Sequence, residues 1–281
     1  MRTKVEFLGV GVQKCASTWI HALLSRHPEV NTSETKELDF FSNYFDRGYS
    51  WYEAQFSSRS GIRGENSPSY FYNSDVPARV HAYNSQMKIV VLLRNPIERT
   101  YSNHLHEISK KHISRDTSFS VALANNPLYV EQSYYARHLE RWLTYFPKEQ
   151  LLVLFQEDIK DHGHAEAQRL FRFLAISDHS EYCQLPGMVH ESVYYRSDWL
   201  KSTLQRCGRG LDKVGGEGLK QSVKQLPVLK QLYRVNKTST RTISEQLSEQ
   251  ERRHLTGVFG PEVQRLVSLL GLERSPWSDW L

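Results

Sequence analysis

The sequence contains no apolar run of the roughly 20 residues that cross a bilayer. It also begins without the charged and apolar regions of a signal peptide. Cysteine is scarce, because only Cys15, Cys183 and Cys207 occur among 281 residues. Their odd number and wide spacing predict neither a disulfide framework nor a zinc site. These absences predict a soluble, cytoplasmic protein with no membrane partner.

Blocks of Lys and Arg are also missing, as are the known nucleic-acid reading motifs, so no nucleic-acid partner is predicted. The net charge is nevertheless +5, which favours anionic ligands in general. Hydrophobic residues make up 39% and charged residues 24% of the chain, as in folded soluble proteins. The length suits one large α/β domain or two small ones.

What the sequence does contain is an alternation of buried strands and helices. Three apolar runs predict buried strands at residues 5–12, 88–94 and 151–155. Helical spacing predicts helices at residues 18–26, 74–84, 96–110, 119–125, 134–145 and 165–174. Residues 64–70 are predicted to form a polar turn. This alternation predicts an α/β fold with a central parallel sheet flanked by helices.

One domain is predicted over residues 1–281. In residues 175–230 the pattern weakens, and glycines lie among Lys and Arg. This composition predicts a mobile lid or substrate segment over the site, with a long surface loop as the alternative. Residues 240–281 are predicted to hold two terminal helices, at 244–257 and 261–270.

The turn after the first strand carries Lys14, Ser17 and Thr18. A strand, a turn of small residues and a helix N-terminus together hold phosphates, because the first helical N–H groups lack internal partners. A magnesium-binding P-loop would place a hydroxyl directly after the lysine. Here Cys15 and Ala16 follow, so we expect phosphate binding without the magnesium position. The alternative is an ordinary strand–turn–helix connection that contains a lysine.

The second apolar strand ends in Arg94, where an NTPase would place an aspartate for Mg²⁺. Arginine cannot hold a metal, but its planar guanidinium suits a phosphate. Ser102, two turns into the next helix, is predicted to join the same phosphate. Ligands of open α/β sheets bind at the carboxyl ends of the strands. Two phosphate pockets without a metal ligand are therefore predicted, with a salt-bridge role as the alternative for Arg94.

These motifs carry a resemblance to a known family. Residues 13–18 resemble the 5′-phosphosulfate loop, and residues 94–102 the 3′-phosphate motif, of sulfotransferases that use 3′-phosphoadenylyl sulfate (PAPS). Residues 36–41 resemble the Lys/Asn-Glu-x-x-Phe-Phe segment of the heparan sulfate, carbohydrate-type and bacterial branch. Residues 64–70 resemble that branch's Glu-Lys-Ser/Thr-Pro-x-Tyr turn. The resemblance covers about residues 5 to 175.

The resemblance implies a P-loop-like sulfotransferase fold and an enzyme that moves a sulfuryl group from PAPS by in-line displacement, leaving PAP. The acceptor would be a hydroxyl or amine of a carbohydrate or a small-molecule metabolite, and no metal is implied. Lys14 and Glu37 are the implied catalytic residues, with Glu37 as general base. The implied donor-binding residues are Lys14, Cys15, Ala16, Ser17, Thr18, Trp19, Arg94 and Ser102.

The acceptor side departs from the family pattern. Asn66 stands where the family's turn has Lys, and Asp39 where several members carry His. Implied acceptor-side residues are Lys36, Asp39, Glu65 and Asn66, with Lys36 holding Glu37 in place. Arg196, with Trp199, is predicted to close over the adenine or the 3′-phosphate, with surface packing as the alternative.

Two other functions compete with this interpretation. A P-loop-like nucleotide kinase would bind ATP and depend on Mg²⁺. A non-catalytic module would bind polyanions in a salt-sensitive manner. The order of Lys14, Glu37, Arg94 and Ser102 argues against the second function, because polyanion binding needs no carboxylate between basic loops.

Overall fold

The computed structural model describes residues 4–180, 193–195, 237–239 and 246–280. Arg196, Trp199 and most of the predicted lid therefore lie outside the described residues. Two compact units are distinguished: residues 1–100, 126–188 and 249–281 form the first, and residues 101–125 and 189–248 the second. None of the described helices is both long and apolar enough to span a membrane.

The first unit contains a five-stranded parallel sheet in the order β2-β3-β1-β4-β5. Its strands are β1 (Phe7–Gly11), β2 (Val30–Thr32), β3 (Ile62–Asn66), β4 (Lys88–Leu93) and β5 (Leu151–Phe155). The central strand β1 is buried along its whole length. The predicted α/β fold with a central parallel sheet is confirmed.

Strand β3 contradicts the sequence prediction, because residues 64–66 were expected in a turn and instead lie between β1 and β2. The sequence of β3 shows no apolar run, because its buried side chains Glu65 and Asn66 are polar. It also depends on close backbone approach. A Cβ on Gly64 would lie 2.2 Å from the Phe7 ring, and one on Gly9 would lie 1.6 Å from the Asn66 side-chain oxygen.

The helices follow the strands in the predicted order. They are α1 (Ser17–Arg26), α2 (Phe40–Asn43), α3 (Gly48–Glu53), α4 (Val76–Tyr83), α5 (Pro96–Ser109), α6 (Phe119–Asn125), α7 (Leu128–Glu131), α8 (Tyr135–Leu143), α9 (Gln156–Leu174) and α10 (Glu249–Leu270). Helix α9 begins earlier than predicted, and its backbone is non-helical at His162.

The two predicted terminal helices are one helix, α10, with Pro261 in its interior. That prediction is wrong because the apolar face continues across the proline. Leu255, Phe259, Val263 and Leu266 are all buried and repeat at helical spacing. Packing of this face therefore outweighs the one backbone hydrogen bond that proline removes.

In the second unit, ring contacts join the middle of α5 to α6. The Phe119 ring lies 5.6 Å from that of Tyr101 and 5.5 Å from that of His104. A short antiparallel pair, β6 (Val193–Tyr195) and β7 (Lys237–Ser239), also belongs to this unit.

Candidate functional site

The loop between β1 and α1 has an unusual backbone. Gly11, Lys14 and Ala16 have positive φ values of 123°, 72° and 64°. A Cβ on Gly11 would lie 2.8 Å from the carbonyl oxygen of Pro68, so this position requires glycine. The N-cap of α1 is Ala16, which offers no side-chain hydrogen bond to the helix. This helix N-terminus suits an anion, because its dipole and first N–H groups favour negative charge.

Arg94 lies at the same sheet edge as this loop. Strands β1 and β4 are neighbours, and Gly11 is in register with Val91. The Arg94 Nη1 atom lies 3.5 Å from the carbonyl oxygen of Lys14. Its side chain is only 12% exposed. The two cationic residues that the sequence singled out are therefore close together, as one doubly anionic ligand would require.

A polar network that the sequence analysis missed surrounds Arg94. The Glu98 carboxylate lies 3.6 Å from Arg94 and 2.5 Å from Arg252. Arg252 also pairs with Asp279 at 2.8 Å. Asp279 in turn accepts a 2.6 Å hydrogen bond from the side chain of Asn95, the residue after Arg94. The C-terminal part of the chain thus fixes the surroundings of Arg94.

The second arginine of the 94–102 motif is structural. Arg99 is fully buried and donates hydrogen bonds to Ser133 Oγ at 2.5 Å, to Gln132 Oε1 at 3.0 Å and to the carbonyl oxygen of Tyr129. Burial lowers the pKa of Arg99. Its guanidinium ties α5 to the segment between α7 and α8.

Cys15 lies inside the loop, not on its surface. Burial raises the pKa of its thiol to about 12, so it remains protonated at neutral pH. A nucleophilic role is thereby disfavoured. Trp19 is buried as well, in the first turn of α1. Any contribution of these two residues to donor binding runs through the backbone or through packing.

Beside the loop lies a cavity of about 100 Å³. It is lined by Gln13, Glu37, Asp39, Pro68, Ser69 and Tyr72. The Lys36 ammonium lies 2.9 Å from Glu37 Oε1 and donates a 3.4 Å hydrogen bond to Thr18 Oγ1. Lys36 therefore links the proposed base to a hydroxyl at the start of α1.

Asp39 shares this cavity with Glu37. Its Oδ1 accepts a 2.5 Å hydrogen bond from Ser69 Oγ. Burial raises the pKa of Asp39, and the Glu37 charge adds to this effect while the Ser69 hydrogen bond opposes it. Two acidic residues therefore line one small cavity, and we expect it to attract groups that donate hydrogen bonds.

Comparison with known proteins shows which family the chain belongs to. A family model described as "Sulfotransferase domain" matches residues 6–202. The chain belongs to the sulfotransferase family. The predicted family and enzyme class are confirmed, and sulfuryl transfer is the reaction of that class.

Relatives of this sulfotransferase include two human enzymes. Bifunctional heparan sulfate N-deacetylase/N-sulfotransferase 2 is 32% identical over 200 residues, covering 63% of this chain and 22% of the relative. Heparan sulfate glucosamine 3-O-sulfotransferase 5 is 31% identical over 181 residues, covering 59% of this chain and 52% of the relative. The matched parts thus span between about a fifth and a half of those relatives' lengths.

A solved structure supports the sulfotransferase fold over nearly the whole chain. The sulfotransferase from Alicyclobacillus acidocaldarius superposes with a TM-score of 0.70 at 20% identity, covering 98% of this chain and 99% of that one. The predicted P-loop-like sulfotransferase fold is confirmed.

The other predicted site residues of the sulfotransferase lie in different surroundings. Glu65 and Asn66 are buried on β3, 1% and 2% exposed, and do not line the cavity. Ser102 lies on α5 in the second unit. Arg196 is outside the described residues. The binding roles of these four residues stay predictions.

Within the ranges that the structure describes, no three His, Cys, Asp or Glu side chains are grouped closely enough to hold a metal ion. The charged residues at the sheet edge include the cations Lys14, Lys36 and Arg94 and the carboxylates Glu37 and Asp39. Cations with backbone and hydroxyl donors suit phosphate and sulfate groups.

Proposed function

We propose that this chain transfers a sulfuryl group from PAPS to a hydroxyl or amine of a carbohydrate or small-molecule acceptor. The proposal rests mainly on the proximity of two cationic residues, Lys14 and Arg94, and on the position of the Glu37 carboxylate beside the same loop. Lys14 and Arg94 lie at one sheet edge, and Glu37 shares a cavity with Gln13 of the loop. When bound, PAPS supplies the sulfuryl group and presents a 5′-phosphosulfate and a 3′-phosphate.

The donor set fits such a ligand. The α1 N-terminus, with Ser17 and Thr18, binds the 5′-phosphate. Arg94 binds the 3′-phosphate, because a guanidinium can donate two parallel hydrogen bonds to it. Lys14 stabilises the negative charge that develops on the leaving bridging oxygen. In-line transfer of this kind depends mainly on positioning and charge stabilisation.

Glu37 takes the proton from the acceptor as general base. Its side chain is 46% exposed, within the cavity wall, and is oriented by the 2.9 Å ion pair with Lys36. Because Lys36 also bonds Thr18, donor binding and base orientation share one side chain. This link supports Lys36 as an orienting residue in the reaction.

The cavity lining supports a neutral or amine-bearing acceptor. Its lining residues include Glu37, Asp39 and Ser69, and none of the six is Lys or Arg. Hydroxyl and amine groups donate to carboxylate and hydroxyl oxygens, whereas an acceptor carrying sulfates would be repelled. The two human relatives are named for heparan sulfate, a sulfated glycan. The test therefore compares sulfated acceptors with neutral and amine-bearing acceptors.

An acceptor screen with isotopically labelled PAPS, read by mass spectrometry, tests this choice. We expect labelled products from neutral or amino sugars and small amines or alcohols. Labelling confined to sulfated glycans would refute the acceptor class while leaving the sulfuryl transfer intact.

The role of Glu37 is tested by Glu37→Gln, with Glu34→Gln as the matched control. Glu34 is an exposed carboxylate three residues earlier. We expect Glu37→Gln to lose turnover while its affinity for PAP, measured by calorimetry, stays nearly unchanged. The Glu34→Gln variant should behave like the wild type. A collapse of PAP affinity in Glu37→Gln would show that Glu37 is structural.

The same assay separates the two competing functions. A nucleotide kinase requires ATP and Mg²⁺, so sulfuryl transfer from PAPS that persists in EDTA argues against it. A polyanion-binding module predicts salt-sensitive binding with no transfer. Cytoplasmic location and the lack of nucleic-acid or membrane partners stay predictions from the sequence.

A further inference from the structure

The segment of residues 37–41, which carries both cavity carboxylates, has a strained backbone. Glu37 and Asp39 have φ values of 61° and 50°, in the left-handed region that residues other than glycine seldom adopt. Between them Leu38 is buried, and Phe40 stacks on Tyr52 with ring centroids 4.5 Å apart. Such a conformation persists only where its surroundings hold it.

A buried carboxylate lies directly behind this segment. Glu65 on β3 accepts hydrogen bonds of 2.7 Å from both Ser67 Oγ and the Tyr70 hydroxyl. The backbone N–H of Leu38 also donates to it. The Tyr52 hydroxyl approaches the same carboxylate at 3.5 Å. All four partners donate hydrogen, so this arrangement suits an ionised carboxylate.

Two of these partners extend the network back to the segment. Ser67 Oγ accepts a 2.9 Å hydrogen bond from the N–H of Asp39. The Tyr70 hydroxyl accepts a 3.3 Å hydrogen bond from the N–H of Phe41. The N–H of Leu38 therefore bonds to Glu65 directly, and the N–H groups of Asp39 and Phe41 are each linked to Glu65 through one hydroxyl.

We propose that Glu65 is a positioning residue, whose ionised carboxylate holds residues 37–41 so that Glu37 and Asp39 face the acceptor cavity. This inference rests on the proposed function of Glu37 as base. A protonated Glu65 becomes a donor itself, so the hydroxyl of Ser67 or Tyr70 must turn or a donor loses its acceptor. The segment is then held less firmly, and the base is misplaced.

The surroundings of Glu65 favour a transition near neutral pH. Burial raises its pKa to about 7, against the lowering by the Tyr70 and Ser67 hydrogen bonds. The titratable groups that face Glu65 or its partners are Glu37, Asp39, Tyr52, Tyr70 and Tyr83. Burial raises the pKa of each of the three tyrosines, so they stay neutral across this range.

The first experiment compares wild type with Glu65→Gln, using Glu262→Gln as the matched control. Glu262 is a buried carboxylate on α10, 7% exposed and hydrogen-bonded to Arg265 and to the N–H of Arg137. The pH profiles of kcat and KM are measured with PAPS and an acceptor from the screen. PAP affinity is measured by calorimetry.

We expect the wild-type kcat to fall as the pH drops below about 7. Glu65→Gln should lower kcat at least about tenfold at alkaline pH, remove the pH transition and leave PAP affinity within about twofold. The Glu262→Gln profile should match the wild type. A Glu65→Gln enzyme with wild-type kcat and an intact transition would overturn the inference.

A second variant covers the case in which Glu65→Gln does not fold. Tyr70→Phe removes one donor to the carboxylate, and the loss of a hydrogen bond to the charged form raises a carboxyl pKa further. The transition in kcat should therefore move to higher pH. A purely structural role for Glu65 predicts an unmoved transition, and that outcome would contradict the inference.

A readout independent of activity separates this inference from the proposed function. Hydrogen exchange of the amides of Leu38, Asp39 and Phe41 should accelerate in the wild type as the pH falls below about 7, after correction for intrinsic exchange. A chain that transfers no sulfate at any pH refutes the proposed function. Unchanged protection of the three amides refutes the positioning role instead.

Discussion

The stability of this protein should depend on pH through Glu65. Its pKa in the folded state is raised from 4.5 to about 7 by burial. Between these values the folded state keeps a proton that the unfolded chain has lost. This contribution to stability is therefore greatest below the lower value and decreases as the pH rises through the higher one. Between about pH 5 and about pH 8 the loss amounts to about 2.5 kcal/mol.

The measurement is urea unfolding of wild type and Glu65→Gln at both pH values. Titrating groups that do not interact with Glu65 contribute equally to both proteins, so the difference between their pH dependences reports on Glu65 and its immediate neighbours. We expect the wild type to lose about 2.5 kcal/mol more than the variant on going from the acid to the alkaline condition. Equal pH dependence in the two proteins would refute the reasoning, since a buried neutral amide cannot titrate.

Three further substitutions test the sheet edge. Lys14→Ala should lower kcat at least about a hundredfold and weaken PAP binding, and activity within severalfold of wild type would contradict its role. Arg94→Ala should lose at least about tenfold in the preference for PAP over adenosine 5′-phosphate, measured by calorimetry. Arg252→Ala should weaken PAP binding about threefold. Glu98 then lacks its 2.5 Å partner and competes with the ligand for Arg94. Unchanged PAP affinity would show that the Glu98–Arg252–Asp279 network does not affect the site.

The sequence predicted the strands that are made of apolar residues. Strands β1, β4 and β5 are apolar runs, and a run of this kind is visible without knowledge of its partners. Strand β3 was missed because its two buried side chains near the carboxyl end are polar, Glu65 and Asn66, and only their tertiary partners explain their burial. Pro261 likewise misled the prediction, because local propensity does not report the packing of α10.

For the site, the sequence predicted which short segments lie close together, while the roles of their residues stay predictions. Lys14 and Arg94 each follow the carboxyl end of a strand, and β1 and β4 are neighbours in a parallel sheet, so the topology brings them together. Arg252 and Asp279 lie more than 150 residues from Arg94 along the chain, and such a polar contact leaves no periodic pattern. Glu65 was placed on the acceptor side by the resemblance of residues 64–70 to the family's turn, and its burial behind residues 37–41 depends on tertiary partners that the sequence does not show.

Several residues near the cavity and the loop have a left-handed backbone conformation, which makes thermal stability and the proposed activity conflict. Lys14, Ala16, Glu37 and Asp39 are four of the six described residues other than glycine with positive φ. Glycine would relieve about 1 kcal/mol at each such position. Engineering that selects only for thermal tolerance would therefore favour glycine at the loop and at residues 37–41. At positions 14 and 37, the more stable protein would no longer carry the ammonium and the carboxylate that the proposed mechanism requires.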